Sequence, residues 1–229
     1  MAKFEGFPPQ TLAFLRGLGK HNDKAWFDAH RADYEAYYIE PAKAFVAALG
    51  DKLAALAPAI TAEPKVNGSI FRINRDIRFS KDKTPYKDHL DLWFWDGSER
   101  KAAVSGFFFR LRHDSVLLGA GNHTFDKDQL ATFRAAVLDD ETGKPLATLG
   151  RKLAKAGMPL SGEAYKKVPR GVDPEHPRAD LLKFGALHAG VTLQPRPAEL
   201  DSAKFVTTCA GHFKKLLPLH RWLVDALQR

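Results

Sequence analysis

Residues 90–122 read LDLWFWDGSERKAAVSGFFFRLRHDSVLLGAGN, and the pattern in this stretch decides the fold. Apolar side chains recur at every second position over much of it, which is the spacing of strands and not of helices. The polar groups Asp96-Gly97-Ser98 and His113-Asp114 interrupt that spacing and predict tight turns. Strands joined by tight turns pair antiparallel in chain order. The stretch therefore predicts a meander of strands over Leu90–Trp95, Ala103–Arg112 and Ser115–Asn122.

The same period of two extends upstream and predicts a fourth strand over Phe71–Phe79. Alternation places five side chains on one face of that strand, namely those of Phe71, Ile73, Arg75, Ile77 and Phe79. We expect Arg75 to be largely buried, because its neighbours on that face are apolar. A buried guanidinium requires a carboxylate, carbonyl oxygens or a bound anion as its partner.

Helical patterns lie on both sides of the strands. Toward the amino terminus, the prolines at positions 8, 9 and 41 and the N-capping residue Asn22 mark three helix starts. Toward the carboxyl terminus, Asp126 and Gln129 predict a capping box, and six prolines between residues 157 and 197 predict a loop-rich region. Further helices are predicted over Lys144–Ala156, Ala179–Phe184, Ala203–Leu217 and Leu219–Leu227, with Pro218 separating the last two.

Helices, then a meander, then helices predict an α+β fold. We expect residues 1–229 to form a single domain in which an antiparallel meander sheet of four or more strands is flanked by N-terminal and C-terminal helices. With 45% apolar residues, the chain has the composition of a folded protein with its own core.

Composition also excludes several classes of protein. The single cysteine, Cys209, excludes an internal disulfide and a cysteine-based zinc site. The nine histidines include no pair spaced four apart and no His-x-His pattern, so we expect no metal site. Because the sequence has neither a signal peptide nor a membrane-length apolar run, we expect a cytoplasmic protein without a membrane partner.

The positive charge is concentrated in the last third of the chain. The formal net charge is +8, and residues 151–229 hold 14 basic and 7 acidic residues, a surplus of seven. Residues 151–170 contain six basic residues against Glu163 alone. Such a surface favours an anionic partner, of which nucleic acid is one kind. The alternative is a helix face whose lysines only interact with solvent.

The densest group of charged side chains is FRINRDIRFSKDKTPYKDH, residues 71–89, with six basic and three acidic residues. Asp82 and Thr84 can bind neighbouring backbone amides and fix a turn before Pro85. Lysines and arginines on a fixed turn predict a site for a phosphorylated or other anionic small molecule. The residues predicted to bind it are Arg75, Arg78, Lys81, Lys83, Tyr86 and Lys87. The alternative is that the basic and acidic side chains pair with one another and only secure the turn.

The chemistry of the chain is less determined than its fold. His89 lies beside Asp88 and Asp91 and is the best single candidate for proton transfer. A hydrolase or transferase acting on phosphate esters would use the basic groups to stabilise charge and Asp76 or His89 to move a proton. The residues by themselves assign no catalytic group, cofactor or oligomeric state, and they leave open whether the protein is an enzyme.

The motif RDIRFSKDKTPYK resembles that of the bacterial and fungal domain of unknown function 2461 family. FLRGLGKHNDKAWFDAHRADYE upstream and LLGAGNHTFDKDQLATFRAAV downstream extend the resemblance over most of the chain. The motif maps onto Arg75 through Lys87, and Asn22, Trp26 and Phe27 match the amino-terminal helix pattern. The resemblance implies a single-domain cytoplasmic protein without an assigned biochemical activity, and it transfers no catalytic residue.

Overall fold

Helices lie toward both ends of the chain in the computed structural model, which describes residues 3–97 and 104–227. The α-helices among these residues are α1 (Pro9–Lys20), α2 (Lys24–Ala29), α3 (Arg31–Asp33), α4 (Glu40–Leu56), α5 (Lys127–Leu138), α6 (Asp140–Lys155) and α7 (Lys204–Leu227). A π-helical segment, Tyr34–Ile39, joins α3 to α4, and two short 3₁₀ helices span Ala179–Lys183 and Ala198–Asp201. None of the helices in these described ranges is long and apolar enough to cross a membrane.

The strands of the described residues form one six-stranded antiparallel sheet. They are β1 (Ile60–Thr61), β2 (Leu90–Asp96), β3 (Gly106–Leu111), β4 (Val116–Asn122), β5 (Leu160–Glu163) and β6 (Phe184–Leu193). Their order across the sheet is β1-β2-β3-β4-β6-β5, so the first four are neighbours in chain order, as in a meander. The predicted α+β class is confirmed, and β2, β3 and β4 lie where the alternation predicts them. Ser98 and Ala103, which belong to a predicted turn and strand, lie outside the described residues.

The predicted strand over Phe71–Phe79 is wrong. The first part of this segment runs beside the chain that leads into β2, with backbone bonds such as Arg75 N–H to the carbonyl of Pro85 (2.8 Å), but only isolated bridges form. Pro85 has no N–H to donate, and side chains of Asp76 and Asp82 bind backbone amides that a ladder would otherwise use. The described residues between positions 70 and 122 therefore form three strands of the sheet, fewer than the four expected there.

The loop-rich prediction for residues 157–197 missed two strands. β5 and β6 pair antiparallel, with Leu160 opposite Ala189 and Ser161 opposite His188. The six prolines all lie outside β6, and the sequence of that strand, FGALHAGVTL, contains small residues that obscure the alternation.

Three helix boundaries differ from prediction. Asp23, and not Asn22, caps α2, because its carboxylate accepts from the amide of Trp26 (2.9 Å). Helix α6 begins at Asp140, earlier than the predicted Lys144, with Asp139 as its N-cap. Helix α7 continues through Pro218, since buried leucines before and after the proline hold it against the core. The capping box of Asp126 and Gln129 is confirmed at the start of α5.

The described residues divide into two compact units. The first comprises the chain up to Phe94 together with Phe108–Leu118 and Thr192–His212. Its core contains a cluster of phenylalanine rings whose centroids lie 4.9 to 6.2 Å apart, formed by Phe4, Phe7, Phe45, Phe109 and Phe205. This unit carries the segment of densest charge.

The second unit comprises Trp95–Phe107, Gly119–Val191 and the chain from Phe213 onward. In its core, the ring of Phe107 lies 5.1 Å from that of Phe213 and 5.0 Å from that of His220. His220 is buried, with Nδ1 2.9 Å from the hydroxyl of Ser105 and Nε2 3.5 Å from Asp96. Cys209, in the first unit, is buried and free, and burial raises the pKa of its thiol.

Candidate functional site

The segment RDIRFSKDKTPYK, residues 75–87, forms a turn that we call the basic turn. Two carboxylates organise it. Asp76 accepts from Arg78 Nε (3.0 Å) and Nη2 (2.7 Å), and these hydrogen bonds hold the pKa of its carboxyl below the ordinary value. Asp82 accepts from the amide of Thr84 (3.0 Å) and from Arg75 Nη1 (2.6 Å), which together lower its pKa to about 2. Both acids are therefore anions that are already engaged within the turn.

Arg75 has the predicted carboxylate partner, and its side chain is largely but not fully buried. Its side chain is 27% exposed, and Nη1 donates to Asp82 and to both the carbonyl and the hydroxyl oxygen of Thr84. The strand that was expected to bury it is replaced by the turn. Phe79, expected on the same apolar face, is 94% exposed and lies outside the core.

Two lysines of the basic turn, Lys81 and Lys83, differ from its arginines. Lys83 Nζ donates to the carbonyl of Ile77 (2.9 Å), and Lys81 is exposed. Within the described part of the chain, no carboxylate oxygen lies within 4.0 Å of the ammonium group of either lysine. Among residues 3–97 and 104–227, the two arginines are thus paired with carboxylates inside the turn, whereas Lys81 and Lys83 are not.

Asn22 and Tyr86 anchor the basic turn. The Asn22 side chain donates to the carbonyl of Tyr86 (2.9 Å) and accepts from its amide (2.9 Å). The Tyr86 ring is stacked on Phe27, with centroids 4.3 Å apart, and is only 7% exposed, and this burial raises the pKa of its hydroxyl. Tyr86, predicted to bind the ligand, is placed by the structure as a buried support of the turn.

Lys87 leads from the basic turn into a cluster of charges at the start of β2. Its Nζ lies 3.8 Å from Asp91 and 4.9 Å from the centroid of the Phe71 ring. Asp91 is only 5% exposed and also accepts from Arg110 Nε (2.6 Å) and Nη2 (3.0 Å). A buried carboxylate is stable in such a position only because cations surround it.

His89 lies between two carboxylates in this cluster. Its Nδ1 is 2.7 Å from Asp88, and its Nε2 is 3.2 Å from Asp91. A neutral imidazole has one N–H and can donate to only one of them, whereas the protonated ring donates to both. Arg112 Nη1 lies 3.2 Å from both oxygens of Asp88, and the hydroxyl of Tyr38 donates to the His89 carbonyl (3.2 Å).

The pKa values in the cluster follow from these contacts. Burial by itself raises the pKa of Asp91, but hydrogen bonds from His89 and Arg110 outweigh it and leave the pKa below the ordinary value. The pKa of Asp88 is lowered in the same way, with His89 and Arg112 outweighing burial. For Tyr38, complete burial raises the pKa of the hydroxyl well above the ordinary value. Both acids of the cluster are anions at neutral pH.

Sequence reasoning identified Asp88, His89 and Asp91 but missed Arg110 and Arg112. Arg110 lies on β3, and Arg112 follows two positions later, directly after the strand ends. Alternation places two such side chains on the same side, which is the signal that could have indicated them. Their pairing with acids at the start of β2 depends on strand register, which a single sequence does not reveal. Among residues 3–97 and 104–227, no group of three or more His, Cys, Asp or Glu side chains is placed to hold a metal ion.

Comparison with known proteins agrees with the resemblance carried by the basic turn. The chain matches no curated protein and no solved structure. A family model described as "Conserved hypothetical protein (DUF2461)" matches residues 10–222 of the 229, which include nearly all of α1, the basic turn, the sheet and most of α7. By that match the chain belongs to the DUF2461 family.

Proposed function

We propose that the protein binds a phosphorylated or other anionic small molecule through the basic turn. The observation that carries the proposal is that the arginines of the basic turn are paired with carboxylates and that Lys81 and Lys83, in the part of the chain that the structure describes, are not. Asp76 and Asp82 pair with Arg78 and Arg75, and Lys81 and Lys83 have no carboxylate partner among the described residues. A network that only secured the turn would be expected to pair its cations with carboxylates, because a lysine without such a partner adds repulsion between like charges. Lys83 has a backbone carbonyl as its partner, which leaves its positive charge without a compensating carboxylate in the described ranges.

The fixed position of the turn supports the proposal further. Asn22 and Phe27 hold Tyr86, and the side chain of Asp82 holds the amide of Thr84. A binding segment whose backbone is fixed before the ligand binds loses less conformational entropy on binding than a mobile segment does. The exposed Phe79 ring, with the Arg78 guanidinium 5.8 Å from its centroid, adds an apolar surface beside the lysines.

A thermal-shift screen with inorganic phosphate, nucleotides and sugar phosphates tests this proposal, because a ligand that binds only the native state raises Tm. The double variant Lys81→Gln/Lys83→Gln should fold normally and lose the shift. Lys127→Gln/Lys204→Gln is the matched control, since it removes two exposed lysines outside the turn. Lys87 is left intact because it contacts Asp91. If the wild type shows no shift, or if both double variants keep it, the proposal is wrong.

The arrangement of His89 favours a second candidate, a hydrolase or transferase acting on phosphate esters. An imidazole between two carboxylates can hold a proton and release it to a leaving group. Asp76 is a poorer proton carrier, because Arg78 keeps it ionised. We expect the wild type to hydrolyse phosphate monoesters. In His89→Asn the rate should fall by about 100-fold or more, while the variant still binds the substrate. Equal turnover in the two proteins would exclude this role.

We further propose that the protein resides in the cytoplasm. Its single cysteine is buried as a free thiol, as is usual in a reducing compartment. Fractionation of cells that express the full chain tests this proposal.

A further inference from the structure

A cleft of about 550 Å³ lies along one face of α6, in the second unit. Asp140, Lys144, Thr148 and Arg151 line it from the helix, where spacings of three and four residues bring side chains to one face. His176 and Arg178 line it from the segment before the 3₁₀ helix. Its volume is within the range of small-molecule sites, roughly 300 to 1,000 Å³. We call it the α6 cleft.

Arg178 is the fixed element of the α6 cleft. Its side chain is only 6% exposed. Nε donates to the carbonyl of Val137 (2.6 Å), and Nη2 donates to the carbonyl of Leu138 (2.8 Å) and to Asp140 (2.8 Å). Among the described residues, Nη1 has no acceptor. The guanidinium therefore cannot turn away from the cleft, and one of its nitrogens is available to a bound group.

The charges of the α6 cleft are unequal. Lys144 Nζ lies 2.7 Å from Asp140, which Arg178 also contacts, so this one carboxylate is shared by two cations. Arg151 donates to the hydroxyl of Thr148 (3.0 Å) and, within the described ranges, has no carboxylate within 4.0 Å. Three cations against one carboxylate leave a surplus of two positive charges.

A phosphate monoester matches this surplus better than a carboxylate does. It carries a charge of roughly −1.5 to −2 at neutral pH and has three acceptor oxygens. Arginine nitrogens bind such oxygens in pairs and with defined geometry. The volume of the cleft exceeds that of one phosphate group, so it has room for the rest of a small organic molecule.

We propose that the α6 cleft binds the phosphoryl group of a small phosphate monoester, with Arg178 and Arg151 as donors and Lys144 as an additional charge. None of the described residues that line this cleft belongs to the basic turn. The proposed site does not depend on the function proposed for that turn.

Isothermal titration of the full-length protein with ribose 5-phosphate and adenosine monophosphate tests the proposal, with succinate as a dianion that lacks phosphate. We expect saturable binding of at least one phosphate monoester, and weaker or no binding of succinate. Arg151→Gln should weaken the binding by about tenfold, the effect of losing one charged hydrogen bond. Lys152→Gln is the matched control, because it removes the neighbouring exposed charge of α6 outside the cleft, and it should bind as the wild type does.

Other outcomes overturn the proposal. The proposal is wrong if neither phosphate monoester binds, or if Arg151→Gln binds as tightly as the wild type. It is also wrong if Arg151→Gln and Lys152→Gln weaken the binding equally. Loss of binding in Lys81→Gln/Lys83→Gln, with Arg151→Gln unaffected, would place the ligand at the basic turn instead. Arg178 is not substituted, because its loss would leave the carbonyls of Val137 and Leu138 without a donor and would destabilise the fold.

Discussion

The side chain of Asn22 makes two hydrogen bonds of 2.9 Å with the backbone of Tyr86, one to its carbonyl and one from its amide. The two residues are 64 positions apart, so this contact ties the basic turn to the segment that joins α1 and α2. The amide side chain suits this role because it offers a donor and an acceptor side by side. Asn22, predicted to cap a helix, acts instead as a clamp on the turn.

Replacing Asn22 with alanine should therefore destabilise the protein. Asn22→Ala leaves a partly buried amide and carbonyl of Tyr86 without partners, and we expect a loss of about 2 kcal/mol in the free energy of unfolding. Urea denaturation measures it. Lys24→Ala, an exposed substitution nearby, should change stability by less than about 0.5 kcal/mol. Equal stability of the two variants would show that water replaces both bonds.

Asp91 should make stability depend on pH in the acid range. The pKa of its carboxyl is lowered in the fold, so ionised Asp91 contributes stability above its unfolded pKa of about 3.9. That contribution decreases as pH falls through the folded value. Asp91→Asn should cost about 3 kcal/mol at pH 7, because it leaves Arg110 without its buried partner, and it should flatten the acid slope.

Chemical denaturation of this variant at a series of pH values tests the prediction. Asp51→Asn, an exposed control, should keep both the stability and the slope of the wild type. If Asp91→Asn loses stability but keeps the full slope, other carboxyls produce the acid dependence.

His220 should make stability depend on pH nearer neutrality. Burial lowers the pKa of its ring, and this effect outweighs the raising effect of Asp96. The neutral ring is thus favoured in the fold, and the free energy of unfolding should decrease as pH falls below the unfolded pKa of about 6.5 toward the folded value. His220→Gln should reduce this slope between pH 7 and the folded pKa, whereas His113→Gln, at an exposed position, should not. Parallel slopes for His220→Gln and wild type would contradict the assignment.

Two glycines in helices should respond in opposite directions to alanine. A Cβ on Gly143 would lie 2.1 Å from the carbonyl oxygen of Val137 and 2.8 Å from Arg178 Nε, so Gly143→Ala should destabilise by about 2 kcal/mol or more. A Cβ on Gly211, within α7, meets nothing within 4 Å of it, and Gly211→Ala should stabilise by about 0.5 to 1 kcal/mol. Differential scanning calorimetry of both variants tests the pair. A stable Gly143→Ala variant would mean that α6 can move away from the end of α5.

The apolar runs of residues 90–122 and the polar turns that bound them were sufficient to predict β2, β3 and β4, because both signals are local in the sequence. They sufficed although β2 and β4 are buried on both faces. Alternation also predicted a strand over Phe71–Phe79 that does not form. There the side chains of Asp76 and Asp82 accept hydrogen bonds from backbone amides. Such local bonds compete with the hydrogen bonds between strands, and the spacing of apolar residues carries no information about them. β6 was missed because its small residues hide its period.

For the site, composition located the basic turn but did not identify which charges remain available. That depends on whether Arg75 contacts Asp82, seven residues later, and on which strand face carries Arg110. Arg178 meets Val137 across 41 positions, a contact that only tertiary packing determines. Neither the α6 cleft nor the exposure of Phe79 is visible in a local pattern.

The exposed ring of Phe79 has a consequence for how selection acts on this chain. A side chain that is 94% exposed buries almost no surface, so folded abundance places little constraint on the residue at position 79. A library of all residues at this position can be selected once for the abundance of folded protein and once for growth of the cells. A residue preference that appears only in the growth selection then reflects what the protein does in the cell. Position 79 can therefore serve as a genetic probe of activity before any ligand is identified.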